Sequence, residues 1–492
     1  MKPILLLILV LEVFSQPGSN SNTYDYTNYD AISKNADLTG QTLSSTTADQ
    51  SVVYITEDGK TIQNSNINKE SGDSSDTEKS EFYGVNAAIL VQGGGLTMTG
   101  GTITTKAKGA NALCATNKGK VKISGTTITS TSSSSGRGLH ATYGGEIIAS
   151  NVIISSTGGS CANLATDRGE GTVTCTECTL STSGSGSPLI YSTGNITVSK
   201  TTGTATGAQA VVIEGKNSAT IKDSNLKCNA MPNRNDVDKC GVMLYQSQSG
   251  DAGEGTSIFN CEKSTVEIQS SSSKYSSAPM FFITNADAII NLEDCTFNYG
   301  SSIFLDASGT SEWGTTGSNG GVVNLNLKNQ KVVGNFVVDN YSGLTINLVN
   351  SSIEGIINGD KTAAKLDIIL DGDSTITLKG ASYYTSLTNS KTDNSNIIKN
   401  TYNFEKYDEI DISRSSGSGG GGTGSNGSGR PSGSPPSGSG NPPSGSPPNG
   451  SGNSTSGSKA SGSSSSSDTY IGTKSFNHLI AITLSLMLIF FL

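Results

Sequence analysis

Apolar residues recur through the middle of the chain at a spacing near 25 residues. Met98, Ile123, Ile148, Val173, Val198 and Ile221 align in one column at steps of 25, 25, 25, 25 and 23. A second column lies five residues downstream (Ile103, Ile128, Ile153, Cys178, Gly203, Leu226), and a third nine upstream (Ile89, Cys114, Leu139, Leu164, Leu189, Val212). Gly, Ser, Thr and Asn fill the intervals. Within a repeat the alternation has period two, as in Leu96-Thr-Met98, Val121-Lys-Ile123 and Thr127-Ile-Thr129, which is the pattern of strands with one buried face. Three short strands and their turns fit into one such repeat. The spacing therefore predicts an all-β solenoid, a parallel β-helix whose coils stack at the interstrand distance of ~4.8 Å. Repeats so rich in Gly, Ser and Thr exclude a helical solenoid.

The pattern continues in shorter coils. Leu327, Leu348 and Leu370 step by 21 and 22, and Asn326 and Asn347 share a column that predicts a short amide ladder. Residues 52–412 are expected to form about 14 to 16 coils, some 70 Å in length at ~4.8 Å each. Residues 16–51 read as a flexible or capping lead-in, and Thr401–Ile412, richer in aromatic and charged residues, as a C-terminal cap.

The two ends carry signals of another kind. In Met1–Ser15, Lys2 precedes the apolar run Ile4–Val10, and Val13 and Ser15 stand at −3 and −1 of a cleavage site before Gln16, the layout of a secretory signal peptide. Residues 413–467 are dominated by Gly, Ser, Pro and Asn, and from Ser415 onward Arg430 and Lys459 are the only charges. So little apolar surface cannot offset the entropy of ordering, and a disordered stalk is expected. Residues 468–492 add a polar spacer, Asp468–His478, and an apolar tail, Leu479–Leu492, with no basic residue after it. That tail would reach only about 21 Å as a helix, against roughly 30 Å of hydrocarbon. Small residues, spacer and tail fit a glycosylphosphatidylinositol attachment signal, with Ser465 or Ser466 as the attachment residue. The membrane is then a partner through a lipid anchor, on the outer face of the cell.

Charge and composition narrow the partners further. A net charge of −9 without any basic run argues against nucleic acid. Six sequons, at Asn195, Asn340, Asn350, Asn426, Asn449 and Asn453, are candidate glycosylation sites. In an exported chain the eight cysteines stand where disulfides persist. Cys228 and Cys240 bracket Asn229–Lys239, where the period breaks, so a bridge is expected there, stapling the insertion by roughly 3 kcal/mol. Cys114 and Cys178 fall in aliphatic columns and read as small buried hydrophobes. Cys175-x-x-Cys178 lacks two further zinc ligands, and no metal or cofactor is implied.

Three stretches carry a family likeness: Asp371-Gly-Asp-Ser-Thr-Ile-Thr-Leu-Lys-Gly-Ala-Ser-Tyr-Tyr-Thr-Ser-Leu387, Ser257-Ile-Phe-Asn-Cys261 and Asp294-Cys-Thr-Phe-Asn298. The chain resembles the right-handed parallel β-helix proteins of the pectate-lyase-like superfamily, in particular their adhesin-like surface members. The resemblance implies a right-handed helix and a surface location, and it transfers no catalytic residue. Together with a glycolipid signal it implies a eukaryotic microbe.

Enzymes on this scaffold work with clustered carboxylates, as calcium ligands or as acid and base. Between Asn86 and Leu226 the carboxylates are only Glu146, Asp167, Glu170, Glu177, Glu214 and Asp223, none at i, i+2 from another. Asp236 and Asp238 with Arg234, and Asp371 and Asp373 near Asp367, read as loop residues, with Asp371-Gly-Asp373 a turn. His140 follows the inward Leu139 and is expected at the surface. Thr102/Thr104, Thr127/Thr129 and Thr202/Thr204 begin a hydroxyl grid that Val152/Ile154 and Glu177/Thr179 interrupt. The expectation is a non-catalytic, surface-anchored rod for adhesion, coat structure or recognition of glycan or matrix. Polysaccharide lysis or hydrolysis is the alternative.

Overall fold

Three columns of inward side chains require three strands per turn of the chain, and the computed structural model, which describes residues 24–232, 239–247 and 252–410, has that arrangement. A twelve-stranded sheet runs from Asp30–Lys34 to Asn335–Val338, a fourteen-stranded sheet from Leu38–Thr39 to Ser386–Asn389, and a ten-stranded sheet from Thr42–Ser45 to Thr296–Asn298. Each strand pairs in parallel with its counterpart one coil away, as Lys120–Ser124 does with Gly95–Thr99 and Gly145–Ser150. The fold is a parallel β-helix. Its first coil opens at Asp30, whose strand pairs with Gln50–Ile55, so residues 30–51 are a coil and not the expected lead-in.

The strict 25-residue period does not hold. The inward column is Met98, Ile123, Ala149, Cys175, Val198 and Ile221, with steps of 25, 26, 26, 23 and 23. From Met98 to Val198 these lengths sum to the same 100 residues as four equal repeats, which hides the slip. Because side chains alternate with period two, a one-residue error reverses the face. Ile148 and Ile153, expected inside, point outward and are 42% and 51% exposed. The same register repairs the third face. Its outward columns read Thr102, Thr127, Ile153, Thr179, Thr202 and Thr104, Thr129, Ser155, Ser181, Thr204. Val152, Ile154 and Glu177 do not interrupt them, so the face is uncharged over five coils, with Ile153 its one apolar member.

A repeated corner joins the second and third sheets. Asn64, Asn151, Lys200, Asp223, Lys263 and Asp294 hold φ between 45° and 53° there, the left-handed region that turns the chain sharply. The residue after each turn points inward. Where it is Thr or Ser, its hydroxyl donates to the carbonyl two residues back, at 2.9 Å in Thr201 and 2.7 Å in Ser264. It also accepts an amide from the neighbouring coil, as in Thr201 N to Ser224 Oγ and Ser224 N to Ser264 Oγ, both 3.0 Å. Outside, the predicted amide ladder forms and is longer than two steps: Asn347 to Asn326, Asn326 to Asn291 and Asn291 to Asn260 are each 2.8 Å.

The interior is aliphatic for most of its length and aromatic in one zone. Phe281 meets Phe259, Phe297 and Phe304 at centroid distances of 5.5, 5.4 and 5.3 Å, and Phe304 meets Phe336 at 5.7 Å, in edge-to-face contacts. Among the described residues one helix interrupts the strands, Thr77–Tyr83. Asp76 caps its N-terminus by accepting from the amides of Glu78 and Lys79, and Gly84 closes it at φ 72°.

Candidate binding cleft

The third sheet stops at Thr296–Asn298, and a separate four-stranded sheet begins at Lys331–Val333 and continues through Ser352–Gly355, Thr375–Leu378 and Ile397–Ile398. The two edges do not pair. Between them coil lengths change abruptly: Leu292 to Leu327 spans 35 residues and Leu327 to Leu348 only 21. Tyr299 crosses the seam, its hydroxyl donating to the Val333 carbonyl at 2.6 Å. Gly334 makes room for it, since a Cβ there would lie 2.1 Å from the Tyr299 oxygen.

The seam opens into a cleft of about 550 Å³ walled by Tyr275, Phe297, Tyr299, Asn335 and Ile356, with Glu354 and Lys379 at its polar end. Tyr275 lies on bare backbone, for a Cβ on Gly300 would come within 2.3 Å of its ring. Phe297 belongs to the internal aromatic stack, so one wall of the cleft is continuous with the core. Glu354 and Lys379 are 2.5 Å apart, and that hydrogen bond and charge hold the Glu354 carboxyl below its usual range. The volume falls within the range of small-ligand pockets, and the lining combines aromatic faces with a few polar groups. Tyrosine rings contribute flat faces that are apolar but end in a polar group.

The residues singled out from sequence are scattered relative to this cleft. Asn195, Asn340 and Asn350 are exposed, as glycosylation requires. Asn195 Oδ1 accepts from Ser218 at 2.8 Å, and Asn350 Nδ2 donates to Asn329 at 2.9 Å. Asn426, Asn449, Asn453, Ser465 and Ser466, with the signal peptide, stalk and anchor segment, lie outside the described residues, as do Arg234, Asp236 and Asp238. Asp371 is a turn residue: its carboxylate accepts from the amides of Asp373, Ser374 and Asn350 at 3.2, 2.8 and 3.1 Å. Asp367 accepts from Thr385 Oγ1 at 2.9 Å and pairs with Lys365 at 3.3 Å.

The expected Cys228–Cys240 bridge is not formed. Cys228 faces the interior of the tube, whereas Cys240 packs outside the wall beside Tyr191, Met243 and Phe282. The backbone that separates the two faces keeps the sulfurs apart. Cys178, read as a plain buried hydrophobe, is bonded to Cys175 instead. Among the described residues no group of three or more His, Cys, Asp or Glu is placed to hold a metal ion, and no helix is long and apolar enough to cross a membrane.

His140 is the largest departure from expectation. It does leave the tube on the outward side, between Cys114 and Ala165, yet it is wholly buried. The cover is the Thr77–Tyr83 helix, held down by Asn111 Nδ2 to Ser80 O at 2.9 Å and Thr142 Oγ1 to Phe82 O at 2.8 Å. Arg168 lies 3.7 Å over the Phe82 ring. Beneath, Arg137 reaches Asp167 at 3.2 Å and Glu81 at 3.9 Å, with both arginine and carboxylates buried. The helix signal, Asp76 as a cap with Gly84 eight residues on, is present in the sequence.

Burial, and then the Arg137 charge, push the His140 pKa well below its usual value. The unfolded chain takes up this proton near pH ~6.5 while the folded chain does not. This contribution is therefore complete above that pH and is lost as pH falls, by up to ~1.4 kcal/mol per pH unit. A His140→Leu variant should lose less stability than the wild type between pH 7 and pH 5, measured as urea midpoints. Equal losses would refute the assignment.

Comparison with family models, with curated proteins and with solved structures finds no match to this chain.

Proposed function

We propose that this protein is a surface-displayed β-helical rod, of the adhesin-like, pectate-lyase-like kind, that recognises glycan or matrix through the cleft at the end of its third face. The cleft carries this reading: two tyrosine rings and an ion pair gathered at a seam between sheets. The sequence supplies the setting, with an export signal, a long polar stalk and a lipid-attachment signal that hold the solenoid away from the membrane. Phospholipase release of the protein from intact cells tests that setting.

Binding is favoured over cleavage by the lining of the cleft. Glycoside hydrolysis ordinarily takes two carboxyl groups flanking the scissile bond. Glu354 is the one carboxylate among the lining residues, and Lys379 keeps it ionised.

Glycan-array and calorimetric measurements on the purified chain test the proposal. Tyr275→Ala should weaken binding of the preferred glycan about tenfold, a loss of ~1.4 kcal/mol, with the denaturation midpoint little changed. Undiminished binding in that variant moves the site elsewhere on the rod. Release of reducing sugar or unsaturated uronate from a bound polysaccharide establishes an enzyme instead.

A further inference from the structure

Two of the columns that line the tube each contain two cysteines. The last inward position of the second-face strand is held by Cys175 and Cys261 in a column otherwise of Ala, Val, Ile, Leu and Met. The inward corner that follows is held by Cys178 and Cys295 in a column dominated by Ser and Thr. The corner residue accepts an amide from the neighbouring coil, a task in which sulfur is a weak acceptor. A serine would serve better, as Ser224 and Ser264 do. Cysteine at this corner thus calls for another reason.

In the first case the reason is visible: Cys175 and Cys178, three residues apart in one coil, are bonded, with Cα atoms 6.1 Å apart. In the second case the partners lie on adjacent coils. Strands Thr256–Glu262 and Asp287–Glu293 pair with Cys261 opposite Leu292 and Glu262 opposite Glu293. Lys263 and Asp294 then turn alike, at φ 47° and 53°, which brings Cys295 level with Ser264. The Cys261 and Cys295 side chains both point into the tube there, buried in the same interior cluster and near enough for their thiols to interact.

We infer that Cys261 and Cys295 are a disulfide-forming pair that ties two successive coils together at the edge of the cleft. Cys295 immediately precedes Thr296–Asn298, the strand that ends the third sheet, so the bond fixes the edge on which Phe297 and Tyr299 stand. The reaction is thiol–disulfide exchange with a low-molecular-weight disulfide such as oxidised glutathione. The Cys295 thiolate attacks one sulfur of the donor and expels a thiolate. Cys261, deprotonated, then attacks the mixed disulfide at the Cys295 sulfur and expels the second. One protein S–S bond forms, two S–H bonds are lost, and the donor leaves as two thiols carrying the two electrons and two protons.

The native pairing in a cell rests on the proposed export, so the test has two arms. The full chain is recovered from a secreting host, denatured, alkylated without reduction and digested. Peptides containing Cys261 and Cys295 should be linked, two hydrogen masses lighter than their sum, and separate on reduction. In the second arm, chain produced in a reducing cytoplasm as the Cys175→Ser, Cys178→Ser variant is held in glutathione buffer. It should lose two titratable thiols, and a further Cys295→Ser change, which keeps a corner hydroxyl, should abolish that loss. Linkage in the second arm but not the first upholds the pairing and overturns export. Free thiols in both arms, or linkage of either residue to a different cysteine, overturns the pairing.

Discussion

Phe281→Ala should lower the stability of the solenoid by about 3–5 kcal/mol. Phe281 is fully buried at the centre of the aromatic zone, with Phe259, Phe297 and Phe304 around it. Its strand is hydrogen-bonded on both sides, to Val242–Tyr245 and to Ile303–Ala307, so the wall cannot collapse into the space left behind. Three edge-to-face contacts vanish as well, each worth about 0.5–1.5 kcal/mol beyond the area term. In a stacked array each coil contacts only its neighbours. Hydrogen exchange should therefore quicken mainly between residues 256 and 338, with coils near Thr102 keeping their protection. The informative companion is Ile148→Ala. A strict 25-residue period puts Ile148 in the core, whereas the structure leaves it 42% exposed. Its urea midpoint should move by no more than about 0.5 kcal/mol. A core-sized loss there would contradict the register of every coil from Met98 to Val198.

That comparison shows what the sequence disclosed and where it failed. Strand and turn alternate so regularly that the solenoid is legible from local pattern alone, and Leu139, Leu164 and Ile103 sit where the period places them. The register is not legible in several coils. Ala149 and Cys175 do the inward work while the more apolar Ile148 and Ile153 face out. Cys114 and Val212, placed by the period in an inward column, point outward next to the inward Leu113 and Val211. β-Branched residues suit exposed strand positions too, so apolarity does not fix the face. The amide ladder could be read because Asn326 and Asn347 repeat at the same step as their leucines. The cleft could not. It depends on Tyr275 resting against Gly300 and Tyr299 against Gly334, pairs that only a change in coil length brings together. Likewise His140 was misplaced because alternation tells inward from outward and says nothing of a helix lying across the outer face.

Removing the cation under that helix should produce the second large effect. Arg137→Met preserves much of the side chain's length and apolar stem but takes away the charge set between Asp167 and Glu81. Two carboxylates then remain in a site that excludes water, and breaking a buried ion pair from one side costs about 3–5 kcal/mol. Glu81 belongs to the Thr77–Tyr83 helix and Asp167 to the coil below, so the cost falls on their contact. The helix should lift, seen as new protease cleavage between residues 76 and 84 and as faster amide exchange at Leu90 and Cys114, which it covers. Two controls separate charge from packing. Adding Glu81→Gln and Asp167→Asn to Arg137→Met should recover most of the loss, since a neutral site needs no cation. Acidification gives the other. A buried carboxylate deprived of its cation holds its proton to higher pH than in the unfolded chain, so the folded variant binds more protons and gains stability as pH falls. The wild type lacks this carboxylate contribution, while buried His140 acts in both chains, so the stability gap between variant and wild type should narrow as pH falls. A gap that narrows between pH 7 and pH 5 would show that charge holds the helix down. Parallel slopes would reduce Arg137 to a packing residue and remove the ion pair from the account of this face.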